Sequence, residues 1–245
     1  MAGTSSTLGI VWIFPDLLST YGDQGNALIL RSRAELRGIR AEIRIVRSDE
    51  RVPQDGDIYL LGGGEDRPQV LAAQRLRADD GLRRAVARGA VVLAVCAGYQ
   101  IVGETFGDDG ANPLPGIGLL DVRSERGQQR AVGEVVADVD PALGVGRITG
   151  FENHQGRTEL GSDATPLATT VLGTGNGDGH EGCYRGHVLG SYLHGPVLAR
   201  NPVLADVLLS WRVGILPSLA PSWSERLHDE RLAAVTHGSA PVSCA

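Results

Sequence analysis

The sequence contains no lysine; all 23 basic residues are arginine. That excludes every mechanism needing a lysine side chain, including Schiff-base chemistry and the phosphate loop of Walker-type nucleotide-binding proteins. Cysteine is scarce too. Cys96, Cys183 and Cys244 are too few and too scattered for a disulfide framework, so reduced thiols are expected. No run of 18 apolar residues occurs, and residues 1–7 lack the basic start of a secretory signal, so a soluble, cytoplasmic protein is expected. Positive charge is in deficit: 29 acidic residues give a net charge of −6, which argues against nucleic acid as the main partner. No internal repeat is visible.

The chain of 245 residues and 25.8 kDa is long enough to bury a substantial core. Its 34 glycines cluster in short motifs and read as turns and close-approach sites. Residues 8–14 read as a first buried strand. A polar loop, Tyr21-Gly22-Asp23-Gln24-Gly25-Asn26, then opens a helix that stops at Gly38. Strands are expected at 41–46, 57–61 and 91–95, with one long amphipathic helix over 69–88. Alternating strands and helices predict an α/β fold around a doubly wound, mostly parallel sheet. From about Pro115 short glycine-broken runs at 118–122, 133–137, 147–151, 169–172, 182–184 and 187–192 predict added antiparallel strands. A covering helix is expected over 202–213. The domain is therefore placed at 8–213, after a disordered start at 1–7. Residues 214–245 are read as an extension with a short helix at 224–235 and a frayed end.

Cys96 stands where the apolar run 91–95 stops and Ala97-Gly98 turns the chain into a helix. A cysteine at such a corner meets free backbone N–H groups, which favour thiolate, and small neighbours leave the sulfur reachable. The competing reading is a buried, inert thiol. A cysteine nucleophile needs a base, and His194, at the end of the strand-like run 187–192 and followed by Gly195, is the histidine placed to reach the same sheet edge. It could also be a turn residue. Oxyanion donors are expected from Gly63 and Gly64 in the triple-glycine loop and from the N–H of Ala97. His180, Cys183 and His187 fall within eight residues, but strand alternation sends neighbours to opposite faces, and no metal is expected.

The set Leu61-Gly62-Gly63-Gly64, Val95-Cys96-Ala97-Gly98-Tyr99-Gln100 and Tyr192-Leu193-His194-Gly195-Pro196 resembles the triad-type (class I) glutamine amidotransferases of the CobB/CobQ-like branch, with a flavodoxin-like fold. Four motifs, at 21–26, 62–67, 150–157 and 192–198, resemble the glutaminase subunits that serve a MurT-type, Mur-ligase-like partner in peptidoglycan synthesis. The resemblance runs from about Leu8 to Val213. It implies that Cys96 attacks the side-chain amide of L-glutamine, that His194 moves the proton, and that the ammonia passes to the partner in a heterodimer. The partner would amidate the D-glutamate α-carboxylate of lipid II at the inner face of the membrane. ATP, magnesium and any zinc would sit on that partner, with no cofactor in this chain. Arg130 matches a basic family position that could hold the glutamine α-carboxylate, or it is a solvated loop arginine. Gln100 could face glutamine or simply pack. Most triad amidotransferases carry a glutamate two residues after the histidine; Pro196 stands there. The orienting acid is then absent, or it is Glu152, Asp23 or, as the resemblance implies, a residue of the partner. A cobyric-acid-type synthetase component and a non-catalytic scaffold subunit are the rival readings.

Overall fold

A computed structural model describes residues 7–107, 112–221 and 223–238, with side chains described as far as residue 235. The expected disordered start, the frayed end and Cys244 fall on or beyond the limits of these residues.

The first half runs β1 (Leu8–Ile13), α1 (Gly25–Glu35), β2 (Ala41–Val46), β3 (Ile58–Leu61), α2 (Asp66–Ala78), α3 (Gly81–Ala87), β4 (Val91–Val95) and α4 (Ala97–Val102). The second half adds β5 (Thr105–Phe106), β6 (Leu114–Pro115), β7 (Val122–Val139), β8 (Arg147–Leu160), β9 (Thr165–Leu172), β10 (His180–Arg185) and β11 (Val188–Ser191). Helices α5 (Val197–Arg200), α6 (Pro202–Val213) and α7 (Trp223–Gly238) close the chain. All eleven strands join one sheet in the order β2-β1-β3-β4-β11-β10-β9-β7-β5-β6, with β8 paired to β7. The run β2-β1-β3-β4-β11 is parallel, and antiparallel pairing begins at β10. The fold is α/β, with a mostly parallel half carrying an antiparallel extension.

Burial follows the sequence pattern. Every residue of β3 and β4 is buried, as continuous apolar runs in a sheet covered on both faces must be. Strand β2 lies at the edge and leaves Ile45 half exposed. The single helix expected over 69–88 is instead two. Asp79 turns extended, and its carboxylate accepts hydrogen bonds from the backbone N–H groups of Val52 (2.6 Å) and Gly81 (2.9 Å). Gly81 lies so close to Val52 that a Cβ there would sit 2.1 Å from its carbonyl oxygen. Two local contacts outweigh helical periodicity at this point.

Strands β7 and β8 are also longer than their apolar patches. Their hairpin pairs Val122 with Leu160 and Asp138 with Arg147, and is interrupted by an irregularity between Arg126 and Ala131. The polar stretch 123–130 carries no apolar alternation to announce it. Helix α7 docks on α5, α6, β7 and β8, with Glu225 paired to buried Arg33 and His228 Nδ1 2.8 Å from the carbonyl oxygen of Arg200. Among the described residues no helix is long and apolar enough to cross a membrane.

One buried carboxyl group makes stability depend on pH. Burial pushes Glu181 up to about 7, against hydrogen bonds from the Ser191 hydroxyl and the Tyr192 N–H. The folded chain therefore holds this proton between about pH 4.5 and 7, where the unfolded chain has lost it. Stability from this group is full below that window and falls as pH rises through it, by on the order of 3 kcal/mol. Glu181→Gln, which keeps the acceptor oxygen and carries no charge, is expected to lose less melting temperature than the unaltered protein between pH 5 and pH 8. Parallel pH dependences of the two would refute this.

Candidate active site

Cys96 follows the last residue of β4 and adopts φ 54°, ψ −107°, a left-handed conformation that a non-glycine residue holds only at a cost of about 1–3 kcal/mol. The strain has a visible geometry. Cys96 N–H is tied to the carbonyl oxygen of Ser191, and α4 starts at the next residue, so the chain reverses sharply at the sulfur. Gly98 makes the turn possible, because a Cβ there would lie 2.8 Å from Leu61 Cβ and 2.9 Å from its carbonyl oxygen.

His194 is held just beyond β11 by reciprocal backbone hydrogen bonds with Phe151 of β8, at 2.8 and 3.1 Å. Its ring is 1% exposed. Nδ1 lies 3.1 Å from Asp23 Oδ1, while Nε2 is buried with no hydrogen-bond partner among the described residues and is the ring nitrogen left to serve Cys96. Burial pulls the imidazolium down, but the hydrogen bond to Asp23 and the nearby Cys96 sulfur outweigh it and raise His194 to about 10. Gly63 is the spacer of this cluster; a Cβ on it would meet His194 Cε1 at 2.8 Å and Cys96 Cβ at 3.6 Å.

Within this chain, the carboxylate that reaches the His194 ring is Asp23. Asp23 is 4% exposed in the loop before α1, and its carboxylate stands behind the ring as an orienting acid would. Glu152 is excluded from the role. Its carboxylate accepts from His154 Nε2 (3.1 Å), Thr174 N–H (2.8 Å) and Gly175 N–H (3.0 Å). Burial raises Glu152, yet these donors hold it below the usual carboxylate range. Its partner His154 stacks flat on Tyr192 with ring centres 3.8 Å apart.

One expectation needs correction. Gly63 N–H does not face a developing oxyanion; it donates to Asp23 Oδ2 at 2.7 Å. Gly64 and Ala97, which border the cleft with Cys96, remain as backbone donors. Gln100 borders the cleft as well, but its amide donates to Tyr192 Oη (3.1 Å) and accepts from Gln69 Nε2 (2.6 Å). With one hydrogen bond at each end, Gln100 is held in the wall of the cleft. Arg130 stands at the mouth of the cleft of about 260 Å³, beside Arg126, Asn153 and Gln155. His180, Cys183 and His187 do not converge. His180 pairs with Asp178, Cys183 is buried toward Tyr99, and His187 stacks on Trp211. Sequence reasoning missed Tyr21, whose ring centre lies 4.7 Å from that of His194. Its only sequence signal is its place in the motif that carries Asp23.

A strained strand-end cysteine, a histidine from the neighbouring parallel strand and a carboxylate behind it define a triad-type amidotransferase on this sheet. Residues 9–202 match the model of the CobB/CobQ-like glutamine amidotransferase domain, and the chain belongs to that family. It is 37% identical over 206 residues to the lipid II isoglutaminyl synthase (glutamine-hydrolyzing) subunit GatD of Staphylococcus aureus N315, covering 82% of this chain and 83% of that one. It is also 34% identical over 165 residues to a probable cobyric acid synthase of Methanoregula boonei, covering 63% of this chain but 32% of that one. A solved glutamine amidotransferase of 21% identity shares the fold with a TM-score of 0.57, covering 83% of this chain and 98% of that one.

Proposed function

We propose that this chain is the glutaminase subunit of a lipid II isoglutaminyl synthase, hydrolysing L-glutamine to glutamate and ammonia for a Mur-ligase-like partner. The observation that carries the reading is the cleft-lining Cys96 with the buried His194–Asp23 pair behind it. The sulfur attacks the side-chain carbonyl carbon of glutamine. The oxyanion so formed is met by the N–H groups of Ala97 and Gly64. His194, steadied by Asp23, gives its proton to the amide nitrogen, the C–N bond breaks and ammonia leaves a thioester on Cys96. Water, deprotonated by His194, then attacks the thioester and releases glutamate and the thiol. One water is consumed and one ammonia formed.

Similarity over most of the length of a GatD subunit, against a third of a cobyric acid synthase, favours the cell-wall acceptor over the cobyric-acid type. The sequence brings no lysine-bearing phosphate loop, which supports a reading in which the partner handles ATP and its magnesium. The partner would use the ammonia to amidate the D-glutamate α-carboxylate at the inner face of the membrane. Copurification of a Mur-ligase-like subunit, with glutamine-dependent amidation of lipid II, tests this; ammonia production with no acceptor amidated by the complex refutes the acceptor.

In this reading Arg130 binds the α-carboxylate. Arg130→Ala then raises KM for glutamine about 10- to 100-fold, the worth of one charge-assisted pair, while kcat changes far less. Steady-state kinetics decide it, and an unchanged KM would leave Arg130 a surface arginine.

A further inference from the structure

Arg130 is exposed on a hairpin, yet its guanidinium is not free to wander. Its Nε donates to Asn153 Oδ1 at 2.6 Å across the β7–β8 pair. Its two terminal nitrogens make no hydrogen bond among the described residues, so the two-pronged end that suits a carboxylate is left open. Asn153 in turn has its amide fixed, because Nδ2 donates to Tyr21 Oη at 2.5 Å. Arg130 can only donate, so Asn153 turns its acceptor oxygen to the guanidinium, and its Nδ2 is then held by the Tyr21 hydroxyl, which accepts. Tyr21 is itself anchored, with φ 62° and its ring tilted over His194. The arginine at the mouth is thus joined through two side chains to the residue that covers the catalytic base.

We propose that Asn153 is a positioning residue for substrate: held by the Tyr21 hydroxyl, it aims the Arg130 guanidinium so that the glutamine α-carboxylate is bound at a set reach from Cys96. This rests on the glutaminase reading. It adds a determinant of substrate choice, since amides without a suitably placed carboxylate gain nothing from the aimed guanidinium. The cost that Asn153 removes is the side-chain freedom of an exposed arginine, which would otherwise be lost on each binding event.

The test compares two electrophiles that alkylate Cys96, using the full chain as it purifies with whatever subunit accompanies it. One is a chloroketone analogue of L-glutamine, which carries the α-carboxylate; the other is chloroacetamide, which does not. The readout is the ratio of their second-order rates, followed by mass of the Cys96 adduct. Asn153→Ala is expected to lower the ratio about tenfold, and Tyr21→Phe, which keeps the ring and removes the hydroxyl, to lower it in the same direction. Combining Asn153→Ala with Arg130→Ala is expected to give the ratio of Arg130→Ala alone, because Asn153 acts through that arginine. A ratio unchanged in Asn153→Ala overturns the proposal. So does an equal slowing of both reagents, which marks a structural role only, or an additive loss in the double variant. No analogue adduct on the unaltered protein, under conditions where chloroacetamide labels Cys96, overturns the glutaminase reading and this inference with it.

Discussion

Cys96→Ala abolishes glutamine hydrolysis, with a loss of about 10⁴-fold or more, because no other group in the cleft can form the thioester. The remaining described cysteine cannot take over. Cys183 is fully buried on β10, and burial pushes its thiol up to about 12. The substitution keeps the Cβ atom and the backbone strain, so the fold should survive, as an unchanged melting temperature would show. Activity is measured as ammonia release, with and without the partner subunit, and labelling by a glutamine-analogue electrophile should vanish in parallel. Retained hydrolysis would sink the nucleophile assignment. An unaltered protein that neither hydrolyses glutamine nor takes the label, even with its partner present, would instead favour the scaffold reading.

Asp23→Asn is expected to lower kcat by roughly 10²- to 10⁴-fold, the range in which removing the charge behind a catalytic histidine acts. The asparagine can keep the Gly63 N–H as donor to its oxygen, so the loop need not move. Its amide, however, would donate to His194 Nδ1 where the carboxylate accepts. That forces the ring proton onto Nε2 of the neutral imidazole, the nitrogen facing Cys96, and the ring can no longer take the sulfur's proton. The experiment is decisive for the origin of the acid. If a residue of the partner orients His194, the Asp23→Asn complex keeps its rate; if Asp23 does so, it loses the rate with or without partner.

The same carboxylate links the base to the loop after β3. Asp23 Oδ1 faces His194 while Oδ2 accepts from Gly63, so orientation of the ring and the path of the glycine loop are set together. This explains why the loop needs a glycine at 63, where a side chain would enter the space between His194 and Cys96.

Sequence alone determined the parts of this protein that depend on local chemistry. Unbroken apolar runs became the buried strands β3 and β4, and a cysteine followed by Ala97-Gly98 became a strained corner, since only small residues permit that turn. The motif around His194 placed the base at the adjoining parallel strand. What tertiary structure decided are the partnerships across the chain. Asp23 lies 171 positions from His194, and Arg130, Asn153 and Tyr21 meet only because β7, β8 and the loop before α1 converge over one cleft. Glu152 and Asp23 were equal candidates by residue type; the competing donors around each carboxylate separated them. A side chain's identity fixes what it can donate or accept, but which group stands within 3 Å of it is a property of the fold.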